Sequence, residues 1–448
     1  DTEFEANSEE EKNVKNCKKF YDSKIKSELK KIAKSTDNIL EEQVKWLVSL
    51  TKCIESIKVV TIDVEYEEDA YIVFESVNAK GAKLTLADIL KNMIFRRIKP
   101  TDSDEDIAQK QWDKIEENLE STNFSMPKFI RYQWLSKYEF LTESKLYDAI
   151  KQKLDKEKSL SWQEYLTDLV DDSQRLKELI HPEEDYFKGK GSTRRITNSL
   201  KAISSMGVSQ CYVLLLAISR NFDMKKKWER EVEFLENFCF NYHAVGKLQA
   251  VRVEKKYSEY ARRIENLVTI SNDKDKAGKL EEELKVMIGE LSKLKTDFVT
   301  SEHFKNQFIA NIKYSDNSSK RHLLHYTLLK INEYLSGGTG ELKVDSSVTN
   351  IEHIMPRKPI QWGYNEEEVA DYINDIGNLT LLHQRLNSQA GNKKFLEKLQ
   401  HLEGSDLTIT KDVLNFINNE GIDDWDEEII NKRSQYLAEI AFSSIWNI

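Results

Sequence analysis

From Ser103 to about Leu335 the chain reads as one amphipathic helix after another, and this limits the fold more than any other feature of the sequence. Apolar residues return every three or four positions, the spacing that gathers them on one helix face. Candidate helices run Asp104–Leu119, Pro127–Tyr138, Leu146–Leu154, Trp162–Ile180, Thr193–Ser205, Ser209–Arg220, Lys227–Tyr242, Tyr257–Val268, Lys279–Leu294, His303–Ile312 and Lys320–Leu335. In one of them Trp228, Val232, Leu235, Cys239 and Tyr242 form a single stripe. In another, Leu280, Leu284, Met287, Leu291, Leu294 and Phe298 alternate steps of four and three; a seam this short reads as a core-packing helix rather than a dimer zipper. Turn formers are scarce, with 15 Gly and 5 Pro among 448 residues, against average usage of about 7% and about 5%. A mainly α chain with a large multi-helical body is expected.

A chain of 448 residues has room for two or three domains with substantial cores. Charged residues make up 32% of it, both signs interspersed, with a net charge of −10. That excludes a non-specific polycation and leaves a local basic surface for nucleic acid open. Cys17, Cys53, Cys211 and Cys239 lie far apart and match no CxxC pattern. The last three sit in apolar helical contexts, so reduced, buried thiols in a cytoplasmic protein are expected. No secretory signal is visible, and the longest apolar run, Cys211–Ile218, falls well short of the roughly 20 residues that span a bilayer. No membrane partner is expected. The first residue is Asp1 rather than Met, which reads as a fragment, a processed chain or a renumbered portion of something longer.

Before the helical stretch, residues 1–13 are acidic and read as a loose lead-in. Helical spacing follows from about Val14 to Ile57, with Phe20, Tyr21, Ile25, Leu29 and Ile32 on one helix and Ile39, Val44, Leu47, Val48 and Leu50 on the next. Lys58–Tyr66 alternates and is rich in Val and Ile, a strand pattern. An amphipathic helix through Phe74 and Val77 stops at Asn78-Ala79-Lys80-Gly81, and Thr85 caps a second helix with Asp88 three residues on. Gly337-Gly338-Thr339-Gly340 marks the clearest linker. A short helix, Asp412–Ile417, and a final one from about Trp425 to Trp446, striped by Ile429, Leu437, Ile440 and Ile445, close the chain. The expected domains are 1–100, 101–336 and 341–448.

Candidate chemistry gathers in Val348–Lys394, where a β-branched run ends in Glu352-His353-Ile354-Met355-Pro356. Asn378 follows within GNLTLL, 25 residues after His353, and Asn387 comes nine residues later at the start of a helix. Cleaving a phosphodiester needs a base to deprotonate water and a cation to stabilise charge on the phosphate. A histidine is neutral and basic near pH 7, so His353 is the candidate base. Glu352 and Asn387 offer the hard oxygens that Mg²⁺ or Mn²⁺ takes along with water. Neighbours on a regular strand point to opposite faces, so Glu352 and His353 converge only where the strand is ending, as Pro356 suggests. Lys393, Lys394, Lys398 and Arg385 are candidate phosphate contacts. Each has an ordinary reading too: a solvated basic face, a turn-forming Asn378, an N-capping Asn387, a surface Glu352. His383 reads as half-exposed or a phosphate contact, and His322 and His325 as packing residues. Lys188–Arg195 is basic but lacks phosphate-loop spacing.

The His353–Asn378–Asn387 spacing resembles the HNH branch of the His-Me-finger nucleases. That resemblance implies a small ββα-metal module in which Asn378 braces the loop that orients His353 and Asn387 is a helix-borne metal ligand. The residue beside the base is Glu352, where many HNH sites have Asp. The wording around these residues, and the ending through Trp425, Ile430, Arg433, Leu437, Ala441 and Trp446, is similar to the C-terminal domain of GmrSD-type modification-dependent restriction enzymes. Phe74, Glu75, Asn78, Gly81, Leu84, Thr85, Asp88 and Asn92 resemble the C-terminal part of the ParB-like nucleotidase domain of the same family. That domain's Asp-Gly-Gln-Gln-Arg run lies upstream in the family and is not found in this chain. The resemblance implies a cytoplasmic DNA endonuclease of bacterial anti-phage restriction, DNA (modified DNA included) as partner, and a nucleoside triphosphate acting through the N-terminal domain. A homo-oligomer stays open, and so do two other readings: a non-catalytic helical scaffold that binds a partner, and an RNase toxin.

Overall fold

A computed structural model describes residues 9–35, 38–58, 61, 85–98, 107–157, 160–182, 193–221, 228–270, 273–337 and 349–447. The expected strand Lys58–Tyr66, the helix and stop before Thr85, and most of Lys188–Arg195 lie outside these residues. The chain divides into two compact units, 1–70 and 71–448.

The first unit holds α1 (Glu9–Ser35) and α2 (Ile39–Glu55), joined by a 2.9 Å hydrogen bond from Gln43 Nε2 to the Leu29 carbonyl. The helix begins at Glu9, inside the expected loose lead-in. Glu and Lys are strong helix formers, and in GluGluGluLys they outweigh the lack of apolar residues. No residue of α2 is buried, and Cys53, expected inside, is exposed.

The second unit opens with α3 (Leu86–Arg97), whose start follows the expected capping box: Thr85 Oγ1 accepts the Asp88 amide, and Asp88 Oδ2 accepts the Thr85 amide at 2.9 Å. The body continues through α4 (Ile107–Glu120), α5 (Met126–Leu135), α6 (Glu143–Lys151), α7 (Trp162–Ile180), α8 (Thr193–Ser205), α9 (Tyr212–Asn221), α10 (Glu229–Cys239), α11 (Ala250–Ile270) and α12 (Asp273–Phe298). Two of these, α7 and α8, have the expected bounds. The apolar run that is too short for a membrane becomes α9, buried from Tyr212 through Ser219, because a helix apolar on all sides belongs at the centre of a bundle. Among the described residues no helix is long and apolar enough to cross a membrane. In the seam of α12, Leu280, Leu284, Met287 and Leu291 are buried in the body's core, as a core-packing helix requires.

A π-type turn at Phe240–Val245 follows α10 and swings Phe240 out of the body's core into a second one. There it meets α13 (Ser301–Asn311), α14 (Ser318–Leu335), strand β2 (Leu379–His383) and α18 (Glu427–Ile440). Helices α13 and α14 thus share a core with residues beyond the glycine-rich stretch. Strand β1 (Thr349–His353) pairs antiparallel with β2, with Glu352 opposite Thr380 and His353 opposite Leu379. Helix α15 (Gln384–Ala390) leaves β2 directly, followed by α16 (Phe395–Glu403) and α17 (Thr408–Glu420) over a third core centred on Trp425.

The closing helix packs its expected stripe against the cores and adds polar residues to its inward face. Ile430, Arg433, Ser434, Leu437 and Ala438 face inward, while Ile429, Ile440 and Ile445 are half-buried. The reason lies in the turn before β2, whose carbonyls need donors. Arg433 Nη1 gives hydrogen bonds of 2.7 Å to the Gly377 carbonyl and 2.8 Å to that of Leu379, and Ser434 Oγ accepts the Gly377 amide at 3.0 Å. A Cβ on Gly377 would overlap the Ile430 carbonyl oxygen and Ser434 Oγ, so only glycine lets the two segments approach this closely.

Candidate active site

The four residues read as a constellation come from three elements and meet at one corner. Glu352 and His353 end β1, Asn378 ends the turn before β2, and Asn387 sits on α15. Asn387 Nδ2 lies 2.9 Å from Glu352 Oε2, across 35 residues of chain. The other carboxylate oxygen, Oε1, accepts an ion pair of 2.6 Å from Lys398. The same ammonium donates to the His353 carbonyl at 2.5 Å.

Asn378 is fully buried and spends its side chain on the segment between β1 and β2 and on Trp425. Its Oδ1 accepts the Met355 amide at 2.8 Å and Trp425 Nε1–H at 3.1 Å; its Nδ2 donates to the carbonyls of Met355 and Ile373. Its own carbonyl accepts the Ile354 amide at 2.8 Å. This fixes the backbone on which His353 stands.

The His353 ring is 8% exposed. Its Nε2 is 3.2 Å from Asn374 Oδ1, and the Tyr314 ring meets it edge-on at 4.7 Å between centroids. With a carbonyl oxygen as partner, Nε2 carries the hydrogen and Nδ1 the lone pair. Burial pushes the imidazole down to about 4, against the smaller opposing pull of Asn374 and with Arg357 and Lys398 adding to the shift. The ring is therefore neutral at pH 7. Burial likewise raises the Glu352 carboxyl and lowers the Lys398 ammonium, each offset in part by the other.

Among the described residues no group of three or more His, Cys, Asp or Glu gathers to hold a metal. A cation here would draw on one carboxylate and one amide, the hard-oxygen set that Mg²⁺ combines with water and substrate oxygens. As placed, Asn387 Nδ2 donates to Glu352 Oε2 at 2.9 Å, so the two side chains reach one point between β1 and α15. One carboxylate and one amide make a donor set of the kind that a Mg²⁺-type ion takes.

Two family models match the chain. The GmrSD restriction endonuclease N-terminal domain matches residues 1–95, and the GmrSD restriction endonucleases C-terminal domain matches residues 298–440. The chain belongs to the GmrSD restriction endonuclease family. These domains support a DNA endonuclease role in restriction, with DNA as substrate. No curated protein matches the chain.

All of the corner lies inside the GmrSD C-terminal match. Of the basic residues, Arg385 and Lys394 are exposed beside it, and Lys393 is half-buried, its Nζ 2.7 Å from His401 Nε2. Lys398, read from the sequence as a phosphate contact, is 1% exposed and faces inward. It shares the buried face of α16 with Phe395 and Leu402, at helical spacing. That spacing was the available signal. Sequence reasoning also missed Tyr314 and Asn374. Tyr314 comes from the link between α13 and α14, tied to the site by its amide bond of 2.9 Å to the Asn374 carbonyl and by a 2.8 Å ion pair between Lys313 and Asp375. Nothing local marks those residues. His383, half-buried, is the N-cap residue of α15, and His325 places Nε2 3.1 Å from Thr349 Oγ1, in keeping with a packing role.

Proposed function

We propose that this chain hydrolyses DNA phosphodiesters with a Mg²⁺- or Mn²⁺-type cation, in an HNH (ββα-metal) module made of β1, β2 and α15. The reading is carried by one juxtaposition: a carboxylate and an amide meeting at 2.9 Å at the end of the strand that also bears the neutral His353. Glu352 and Asn387 hold the cation. When bound, it supplies Lewis-acid stabilisation of charge on the scissile phosphate and the leaving oxygen. His353 takes the proton of the attacking water at Nδ1, while Asn374 keeps the other nitrogen protonated. Asn378 acts through the backbone it pins. Arg385, Lys394 and Lys393 hold backbone phosphates, on the stretch that carries Asn387. In this reading the cut serves anti-phage restriction of modified DNA, with a nucleoside triphosphate acting through the N-terminal domain.

The test is relaxation of supercoiled plasmid by the purified chain in Mg²⁺ or Mn²⁺, with His353→Ala in parallel. Loss of the base should slow nicking by roughly 10²–10⁴-fold. Equal rates in the two proteins would remove His353 from the mechanism. Cleavage of total RNA with plasmid left intact would turn the reading to an RNase.

A further inference from the structure

We propose that Lys398 is a positioning residue of this site: its buried ammonium clasps Glu352 Oε1 and the His353 carbonyl together, so that Oε2 alone is presented toward Asn387. The inference rests on the nuclease reading and deepens it.

Glu352 is the last residue but one of β1, and its carboxylate turns freely unless something holds it. Lys398 bridges both residues, at 2.6 Å to the Glu352 carboxylate and 2.5 Å to the His353 main-chain oxygen. It does so from α16, 45 residues downstream of His353. With Oε1 so engaged and Oε2 facing Asn387, the carboxylate is fixed for one-oxygen ligation. Outer partners of this kind set the orientation of ligating carboxylates, and losing them typically costs 10–100-fold in metal affinity or activity.

Stability does not account for the residue. Lys398 lies between Phe395 and Leu402 on a buried helix face, where an aliphatic side chain would pack without removing an ammonium from water. A buried ion pair is commonly matched or bettered in stability by apolar residues of similar volume. What an apolar residue cannot supply is two directed N–H bonds to the carboxylate and to the strand end.

The experiment measures Mn²⁺ binding by equilibrium titration, with a thermal melt of each protein, for the parent chain, Glu352→Gln, Lys398→Met and the double variant. Lys398→Met should weaken Mn²⁺ binding by roughly 10–100-fold. In the Glu352→Gln background the same change should have no further effect on binding, because Lys398 acts through that carboxylate. The melt separates orientation from folding: Lys398→Met leaves a buried charge unpaired and lowers the melting temperature, and the double variant regains it. Should Lys398→Met fail to fold, Lys398→Gln takes its place under the same criteria. Mn²⁺ bound as tightly by the folded Lys398 variant as by the parent overturns the role of Lys398 and leaves the nuclease reading standing. A parent that binds no Mn²⁺ through Glu352 overturns the nuclease reading, and the role of Lys398 with it.

Discussion

Helices α2 and α18 look alike in sequence and differ in the structure. Both carry an apolar stripe at helical spacing. In α2 no residue is buried, and Leu40, Val44 and Val48 are 75%, 50% and 48% exposed. In α18 the inward face is sealed, and it includes Arg433 and Ser434 at 0% exposure. The contrast shows that periodicity fixes a helix and its apolar side, whereas burial depends on what lies opposite. For α18 the surface opposite is a turn with two carbonyls to satisfy, and Arg433 and Ser434 take inward positions alongside the apolar residues.

The strongest attempt to break this contrast is Trp446→Ala, just beyond α18. Its ring stacks on Phe240 at 3.8 Å, its Nε1 donates to Tyr326 Oη at 3.1 Å, and its carbonyl accepts Asn241 Nδ2 at 2.8 Å. Truncation should destabilise the second unit by about 3–5 kcal/mol in urea unfolding. A loss below 1 kcal/mol would show that the closing segment is not the seal described.

Acid gives a second, smaller test of the same seam. His243 lies in the π-type turn that carries Phe240, and burial pushes it down to about 4, with Lys247 adding to the shift. Its unfolded value is near 6.5, so below that pH the unfolded chain takes up a proton that the folded one refuses. The stability it contributes is full above pH 6.5 and is lost as the pH falls toward 4, a change of at most about 3 kcal/mol. Melting temperature followed from pH 7 to 4 should fall, and His243→Phe should flatten part of that fall. An unchanged slope in the variant would mean that His243 is solvated in solution.

The smallest effect is expected in the first unit. Val44→Ser should change stability by no more than about 0.5 kcal/mol, since the residue is half exposed. A loss approaching that of Trp446→Ala would mean that the α2 stripe is covered in solution, and the contrast would fail.

Much of this was legible beforehand, for reasons tied to particular residues. The bounds of α7 and α8 follow from neighbours three and four positions apart, and the Thr85 capping box is likewise local. The meeting of Glu352 with Asn387 was readable because a strand end, a turn and a helix start fall in a fixed order within 36 residues. Lys398 was misplaced because a lysine's default is solvent, and only its company on α16, Phe395 and Leu402, hints otherwise. Tyr314 and Asn374 were invisible as a pair, since they meet only after the α13–α14 link docks on the turn before β2.

What the sequence by itself determined is the helical character and the cap at Thr85. These depend on bonds and spacings within a few turns of chain, where composition alone sets the balance. The tertiary structure decided which faces are buried, that Cys53 is exposed, that Arg433 lies inside, and that Lys398 lies buried against Glu352 instead of at the surface. Those outcomes turn on desolvation and on donors meeting acceptors from distant segments, and both are settled only when the segments pack.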